Sequence, residues 1–376
     1  MLTNKKICLF TSSLGWGGLE RNLLVMAGWM AEAGHEVIVG AVSGSPTSDQ
    51  AQEMPLIKVV DIATHSKLQT LRASNQWRPW VEGADLLWIR DPKDLAVASL
   101  VSRATGTPLL VQQAMQLGAP KTMPWHRARF QAVDAWVSGL QWLRDQALSW
   151  TPMTEAQCHV MPLPLDDRWF DEPKADAGEI RQGLGLDLPE GARLVATFGR
   201  LDEGKGQRVL IRAMKGLPSS VHALFIGDNT VTNEGDEREH LEKLAEEFGV
   251  TNRVHFLPSR DDLIPCYDAI DVFVMSSRSD TIGTVTLEAM ARRVPVVGAT
   301  SGGTAELLFG NRGEGFEPDN AEDLQRAIGC AFAWDEQRRE QTLDAAWQLA
   351  QQSQQSVLLP RWLALVDDVI RLGGKS

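Results

Sequence analysis

Two carboxylates, Asp280 and Glu288, bracket a glycine turn and the start of a helical pattern in S-D-T-I-G-T-V-T-L-E, read from Ser279. A buried-strand pattern, Val294–Val297, and a Gly-Gly loop running to Glu306 follow. Cleft chemistry on a phosphorylated sugar needs such parts. Carboxylates accept hydrogen bonds from sugar hydroxyls, a bare helix N-terminus attracts phosphate, and glycine lets the backbone approach a ligand. A second segment, F-G-R-L-D-E-G-K-G from Phe198, supplies the opposite charge through Arg200 and Lys205. A planar fork and a point charge together suit a diphosphate that gains charge as it leaves. The first segment alone also reads as an ordinary loop, helix and strand of an α/β domain, and the second as a loop with solvated cations. Their position after strands, where open α/β sheets bind ligands, favours the functional reading.

The elements that must position these groups follow from apolar periodicity. In the first half, Ile7–Thr11, Glu36–Val42, Leu56–Asp61, Ala84–Ile89, Thr107–Gln112, Ala135–Ser138 and His159–Met161 read as strands, with helices at Glu20–Ala33 and Leu95–Arg103. In the second, strands are expected at Leu194–Phe198, Ala223–Gly227, Val254–Leu257, Val272–Met275 and Val294–Val297. Helices at Gln207–Met214, Asp236–Phe248, Leu263–Ala269, Thr284–Arg292 and Ala321–Phe332 alternate with them. This alternation predicts parallel sheets covered by helices on both faces. Pro162 and Pro164 mark a boundary, and the polar, Gly-rich Asp171–Gly191 reads as a hinge. Arg338–Leu372 is helical in pattern, with a break expected at Pro360.

Composition narrows the class. The 376 residues suffice for two or three domains, and 43% hydrophobic with 23% charged residues is ordinary for a soluble protein. The four-residue apolar run Ile7–Phe10 is too short for a signal peptide, and no segment matches a membrane span, so a cytoplasmic protein is expected. Cys8, Cys158, Cys266 and Cys330 form no C-x-x-C pair and read as reduced thiols. A net charge of −12 argues against nucleic acid as a partner. Residues 1–165 carry 14 basic and 13 acidic side chains, against 23 and 36 in the rest, and Leu95–Val133 contains no acid at all. That basic face suits an anionic acceptor or peripheral contact with the inner face of a membrane; an unevenly charged solvated surface explains it equally. Seven of thirteen tryptophans fall between Trp77 and Trp150, where rings can stack on sugars, sit at a membrane interface or simply fill the core.

On these residues the chain resembles the retaining glycosyltransferases of the GT-B fold, family 4 type, specifically over residues 192–310 and more weakly before 165. The resemblance implies an α/β protein of two Rossmann-like, doubly wound parallel-sheet domains facing a cleft. Residues 1–165 would form the acceptor-side domain and 166–350 the nucleotide-sugar domain, while 351–376 would cross back to the first. Carried over, Arg200 and Lys205 match the diphosphate-binding pair, and Asp280 and Glu288 match the carboxylate–seven–carboxylate motif. Asp280 would hold donor-sugar hydroxyls and Glu288 the ribose. The turn Ile282–Val285 would offer the amides of Gly283, Thr284 and Val285 to the phosphates. Arg260, in F-L-P-S-R-D-D from Phe256, sits where the family places the base. Gly17 and Gly18 match a G-G-x-E-R loop whose backbone approaches the donor phosphate. Arg200, Lys205 and Asp280 stand as the catalytic set.

Two departures matter. The first motif carboxylate is usually Glu, and Asp280 is one methylene shorter, so donor identity does not transfer. The cleft histidine common after the fifth strand is missing. Instead Gln116, Lys121 and His126 fit a Q-x-G-x-x-K-x-x-x-x-H pattern similar to one in a bacterial subgroup, and are the acceptor-side candidates; His126 beside Trp125 also reads as a plain surface residue. The resemblance implies hexose transfer from a nucleotide diphosphate, UDP-linked ahead of GDP-linked, with retention and same-face attack. The acceptor expected is a lipopolysaccharide or another lipid-linked glycan. Without a D-x-D sequence, no metal or other cofactor is expected. Three alternatives stay open. A 2-epimerase would lack the Arg200/Lys205 and Asp280/Glu288 set. A nicotinamide dehydrogenase would need a glycine where Glu20 ends G-W-G-G-L-E. A non-catalytic sugar-binding protein would be exported.

Overall fold

The computed structural model describes residues 4–373, apart from 65–68, 114, 174, 230, 233–234 and 279. Two units emerge: residues 1–164 together with 353–376, and residues 165–352.

The first unit is built on seven parallel strands. β1 (Lys6–Phe10), β2 (Glu36–Val42), β3 (Ile57–Ile62), β4 (Leu86–Ile89), β5 (Leu109–Gln113), β6 (Ala135–Ser138) and β7 (Cys158–Val160) lie in the order β3-β2-β1-β4-β5-β6-β7. Side chains alternate between faces. Ile7 and Leu9 therefore enter one core and Cys8 and Phe10 the other, which is why β1 is apolar throughout. Helix Gly18–Glu32 buries Leu23, Met26, Ala27 and Met30, one stripe of a 3.6-residue period, on the first core. The last helix, Gln355–Gly373, completes that same core, with Trp362 stacked on Trp88 at 4.7 Å. Trp362→Ala would leave a cavity costing about 3–5 kcal/mol. Trp77, Trp88 and Trp136 are fully buried core residues, whereas Trp125 is 54% exposed.

The second unit repeats the plan with six parallel strands. β8 (Arg193–Phe198), β9 (Val221–Ile226), β12 (Val254–Leu257), β13 (Val272–Met275), β14 (Val296–Ala299) and β15 (Glu314–Phe316) lie in the order β12-β9-β8-β13-β14-β15. A short antiparallel hairpin, β10 (Val231–Thr232) and β11 (Gly235–Asp236), interrupts the connection after β9. In each sheet the winding reverses beside the first strand, between β1 and β4 and between β8 and β13. Crevices at the C-terminal ends of strands at such switch points are where doubly wound sheets bind ligands.

Several boundaries shift by a residue or two from expectation, as at β4, β5 and β9, and two differences have a clear physical cause. The helix break near the end falls at 352–354 and not at Pro360, which lies inside Gln355–Gly373. Pro360 sits in the second turn, so it removes one backbone bond close to the helix start, and the Gln354 carbonyl restarts the helix by accepting from Val357 and Leu358. The strand expected at Val294–Val297 begins two residues later, at Val296. Val294 still donates to Ala289 O, closing the preceding helix through Arg293 at φ 54°, and Pro295 has no N–H for the ladder.

Candidate active site

The second unit's switch point gathers the charged residues. After β8 the chain passes Gly199 and Arg200, makes a single 3-10 turn at Glu203–Lys205, and enters helix Gln207–Met214 at Gly206. Asp202 caps the turn by accepting from Gly204 N at 3.0 Å. Gly206 is required twice over. Its φ is +73°, and a Cβ there would lie 2.1 Å from the carbonyl oxygen of Ser276. That close approach lets the end of β13 hold the loop: Ser276 Oγ donates to Lys205 O and Ser277 Oγ to Gly204 O, each at 3.1 Å. Buried Gln207 donates to Arg200 O at 2.8 Å from the other side. The Arg200 backbone is thus fixed while its side chain is exposed.

Asp280 is the hub on the opposing loop. Its Oδ2 receives Lys205 Nζ at 3.0 Å and its Oδ1 receives Gly283 N at 3.0 Å. The carbonyl of Asp280 accepts from Gly303 N at 3.0 Å, and a Cβ on Gly302 would stand 2.5 Å from it, so a glycine at 302 is a packing requirement of this loop. Gly283, at φ 66°, opens helix Thr284–Ala291 with no side-chain cap. The first amides of any helix lack intrahelical acceptors, so Thr284 and Val285 present donors and a positive dipole end beside the Lys205–Asp280 pair.

Glu288 lies one turn further along this helix. The hydroxyl of Tyr267 is 2.9 Å from Glu288 Oε2 and from Val285 O, so one phenolic proton serves two acceptors. Burial, followed by the Glu288 charge, holds the Tyr267 phenol well above its ordinary 10, so it remains a donor. Phe198, Phe273 and Trp169 surround its ring at centroid distances of 4.6, 5.6 and 5.7 Å. At the helix end, Arg292 makes a buried two-pronged pair with Asp268 at 2.8 and 3.0 Å. The helix carrying Glu288 is therefore anchored at both ends.

The structure brings Lys205, Asp280, Gly283 and the start of the Glu288 helix together and sets Arg200 on the same side of the sheet. Ile282 is buried beneath the turn. Arg260 follows edge strand β12, on an exposed loop at that same end of the sheet. Gly17, Gly18, Gln116, Lys121 and His126 belong to the first unit. Gly17 precedes helix Gly18–Glu32, also without a side-chain cap. Gln116 is exposed, Lys121 N donates to Trp150 O at 2.6 Å, and His126 rides on helix Pro124–Phe130 beside Trp125. Sequence reasoning missed Tyr267, Gln207, Ser276 and Ser277. Tyr267 is the chain's single tyrosine, but L-I-P-C-Y-D carries no motif to mark it.

Two parallel-sheet domains of this topology define the GT-B fold, and comparison with solved structures agrees. A glycosyltransferase from Rickettsia africae ESF-5 superposes with a TM-score of 0.85 at 17% identity, covering 98% of this chain and 99% of that one. Anabaena Alr3699/HepE in complex with UDP gives 0.83 at 22% identity, covering 97% and 100%. Residues 181–345 match the family model "Glycosyl transferases group 1". Among curated relatives, the lipopolysaccharide core biosynthesis glycosyltransferase LpsE of Rhizobium meliloti is 40% identical over 144 residues, 38% of this chain and 40% of that protein. The matches to curated relatives span between 26% and 43% of those proteins' own lengths.

Proposed function

We propose that the protein is a glycosyltransferase that moves a hexose-type sugar from a nucleotide diphosphate donor to an acceptor hydroxyl with retention. The observation that carries this reading is the Lys205–Asp280–Gly283 chain at the open end of the Glu288 helix. Arg200 and Lys205 neutralise the diphosphate as the glycosidic bond breaks, and the amides of Thr284 and Val285 meet its oxygens; the Gly283 amide, expected to join them, is instead taken up by Asp280 Oδ1. Asp280, two of whose lone pairs are engaged, keeps others for donor-sugar hydroxyls. Glu288, held by Tyr267, accepts from the ribose, and Arg260 lies by the base. The leaving phosphate takes the acceptor proton in a same-face attack, and no metal or other cofactor takes part.

UDP-sugars are the preferred donors, a choice supported by the likeness to HepE, which has been solved with UDP and with UDP-glucose. A cell-envelope glycan such as lipopolysaccharide is the proposed acceptor, supported by the match to LpsE. Gln116, Lys121 and His126 are its proposed contacts. Exposed Met123 and Trp125, within the acid-free stretch holding Lys121 and Arg127, favour peripheral contact with an anionic membrane face. Among the described residues no helix is long and apolar enough to cross a membrane. The test is release of nucleoside diphosphate from UDP-hexoses and GDP-hexoses in EDTA, with the anomeric configuration of the product read by NMR. Release that needs a divalent cation removes the metal-independent mechanism, and no release from any nucleotide sugar removes the function.

A further inference from the structure

The first unit carries its own crevice at its own switch point. Arg90 follows β4 directly and is only 4% exposed. Its Nη1 donates to Leu19 O at 2.8 Å, which ties it to the first turn of helix Gly18–Glu32, while Nε and Nη2 have no hydrogen-bond partner. Native proteins rarely leave buried donors of this strength unsatisfied, so such atoms call for a ligand or a water. Arg90 lines a cavity of about 30 Å³ together with Thr11, Ser13, Glu20, Asp91 and Met115. One water needs about 10–15 Å³ of such space, so the cavity takes one or two polar groups and not a whole sugar ring.

The charges around it decide the ligand class. Glu20 is the acid whose charge acts on Arg90, and its Oε1 accepts from Ser13 Oγ at 2.7 Å. Asp91 lines the same space and pairs with Lys93 at 3.0 Å. An anion entering to meet Arg90 would face the Glu20 carboxylate as well. A hydroxyl both accepts and donates, so it satisfies the guanidinium and the carboxylate together. We infer that this pocket is a subsite for neutral sugar hydroxyls, a hydroxymethyl arm or a vicinal pair, with Arg90 Nε–H and Nη2–H donating and Glu20 accepting. The assignment of that sugar to the acceptor rests on the transferase reading above.

Saturation-transfer NMR on the full chain, with the methyl α-glycosides of glucose, galactose and mannose at millimolar concentration, tests the subsite. At least one glycoside should give a saturable signal. Arg90→Lys and Glu20→Gln should each weaken it at least fivefold, while glucuronate and inorganic phosphate bind no better than the glycosides. Preferential binding of glucuronate or phosphate, a signal that survives both substitutions, or no glycoside signal at all overturns the assignment. If circular dichroism shows that Arg90→Lys fails to fold, the more exposed Glu20→Gln decides alone. Binding of UDP and GDP, read by calorimetry on the same samples, separates the two claims. Either nucleotide bound without a glycoside refutes the subsite only, whereas a glycoside bound without any nucleotide refutes the transferase reading only.

Discussion

Replacing Lys205 with alanine separates two roles of one ammonium group. In the structure its Nζ lies 3.0 Å from Asp280 Oδ2, with the lysine side chain 36% exposed. Pairs this accessible contribute ~0.2–1 kcal/mol to folding. The variant should therefore unfold in urea within about 1 kcal/mol of the parent. Turnover should respond differently. A single preorganised donor aimed at a developing anion is worth about 100- to 1000-fold in kcat, or about 2.7–4 kcal/mol. Because the leaving diphosphate gains charge only as the bond breaks, the loss should appear in kcat more than in the donor KM. Lys205→Arg keeps the charge but not the point geometry and should recover part of the rate. The assay is steady-state release of UDP from a UDP-hexose, with urea unfolding run in parallel. An unchanged kcat in Lys205→Ala would refute the role, and a stability loss above about 3 kcal/mol would make Lys205 a structural residue instead.

Gly206→Ala places a methyl 2.1 Å from a backbone oxygen at φ +73°; left-handed strain alone costs about 1–2 kcal/mol, so a urea-midpoint loss of at least about 2 kcal/mol is expected. Tyr267→Phe removes the donor shared by Glu288 and Val285; losing one buried partner costs ~1–3 kcal/mol, and UDP affinity should fall several-fold through the freed Glu288. The stacked His222 and His255 have ring nitrogens 3.0 Å apart, and burial holds both below their ordinary 6.5, with Arg253 adding to the effect on His222. The unfolded chain binds protons more readily than the folded one as pH falls through 6.5, so their contribution is present above that value and lost below it. The melting temperature should drop between pH 7.5 and 5, and His222→Asn should flatten the drop; an unaltered slope would rule the pair out.

The sheets are legible in the chain because both faces of each are covered, so a strand such as β4 reads as an unbroken apolar run flanked by turns. β15 is not legible. It has three residues, only Phe316 of them buried, and no periodicity can be read from so little. The Pro360 expectation failed because proline's penalty depends on its distance from the helix start, which tertiary packing sets. Within the candidate site, glycines and charges stand out by type, and the structure places Lys205 on Asp280 across 75 residues of sequence. The supporting groups do not stand out. Ser276, Ser277 and Gln207 act by closing backbone bonds between loops, and a serine or glutamine at a strand or helix end looks the same whether or not it does so. Arg90 reads in sequence as one cation beside an aspartate, and its significance comes from its burial with Nε and Nη2 unpartnered, which only the structure reveals.

The central claim is that the turn from Asp280 through Glu288, facing Lys205, binds a nucleoside diphosphate. Calorimetric titration of UDP, GDP and ADP into the intact chain and into Glu288→Ala tests it most directly. The account predicts saturable binding of one nucleoside diphosphate, UDP foremost, weakened at least tenfold in the variant while its melting temperature without ligand stays close to the parent's. Binding of none of the three, or an affinity indifferent to Glu288→Ala, would contradict it.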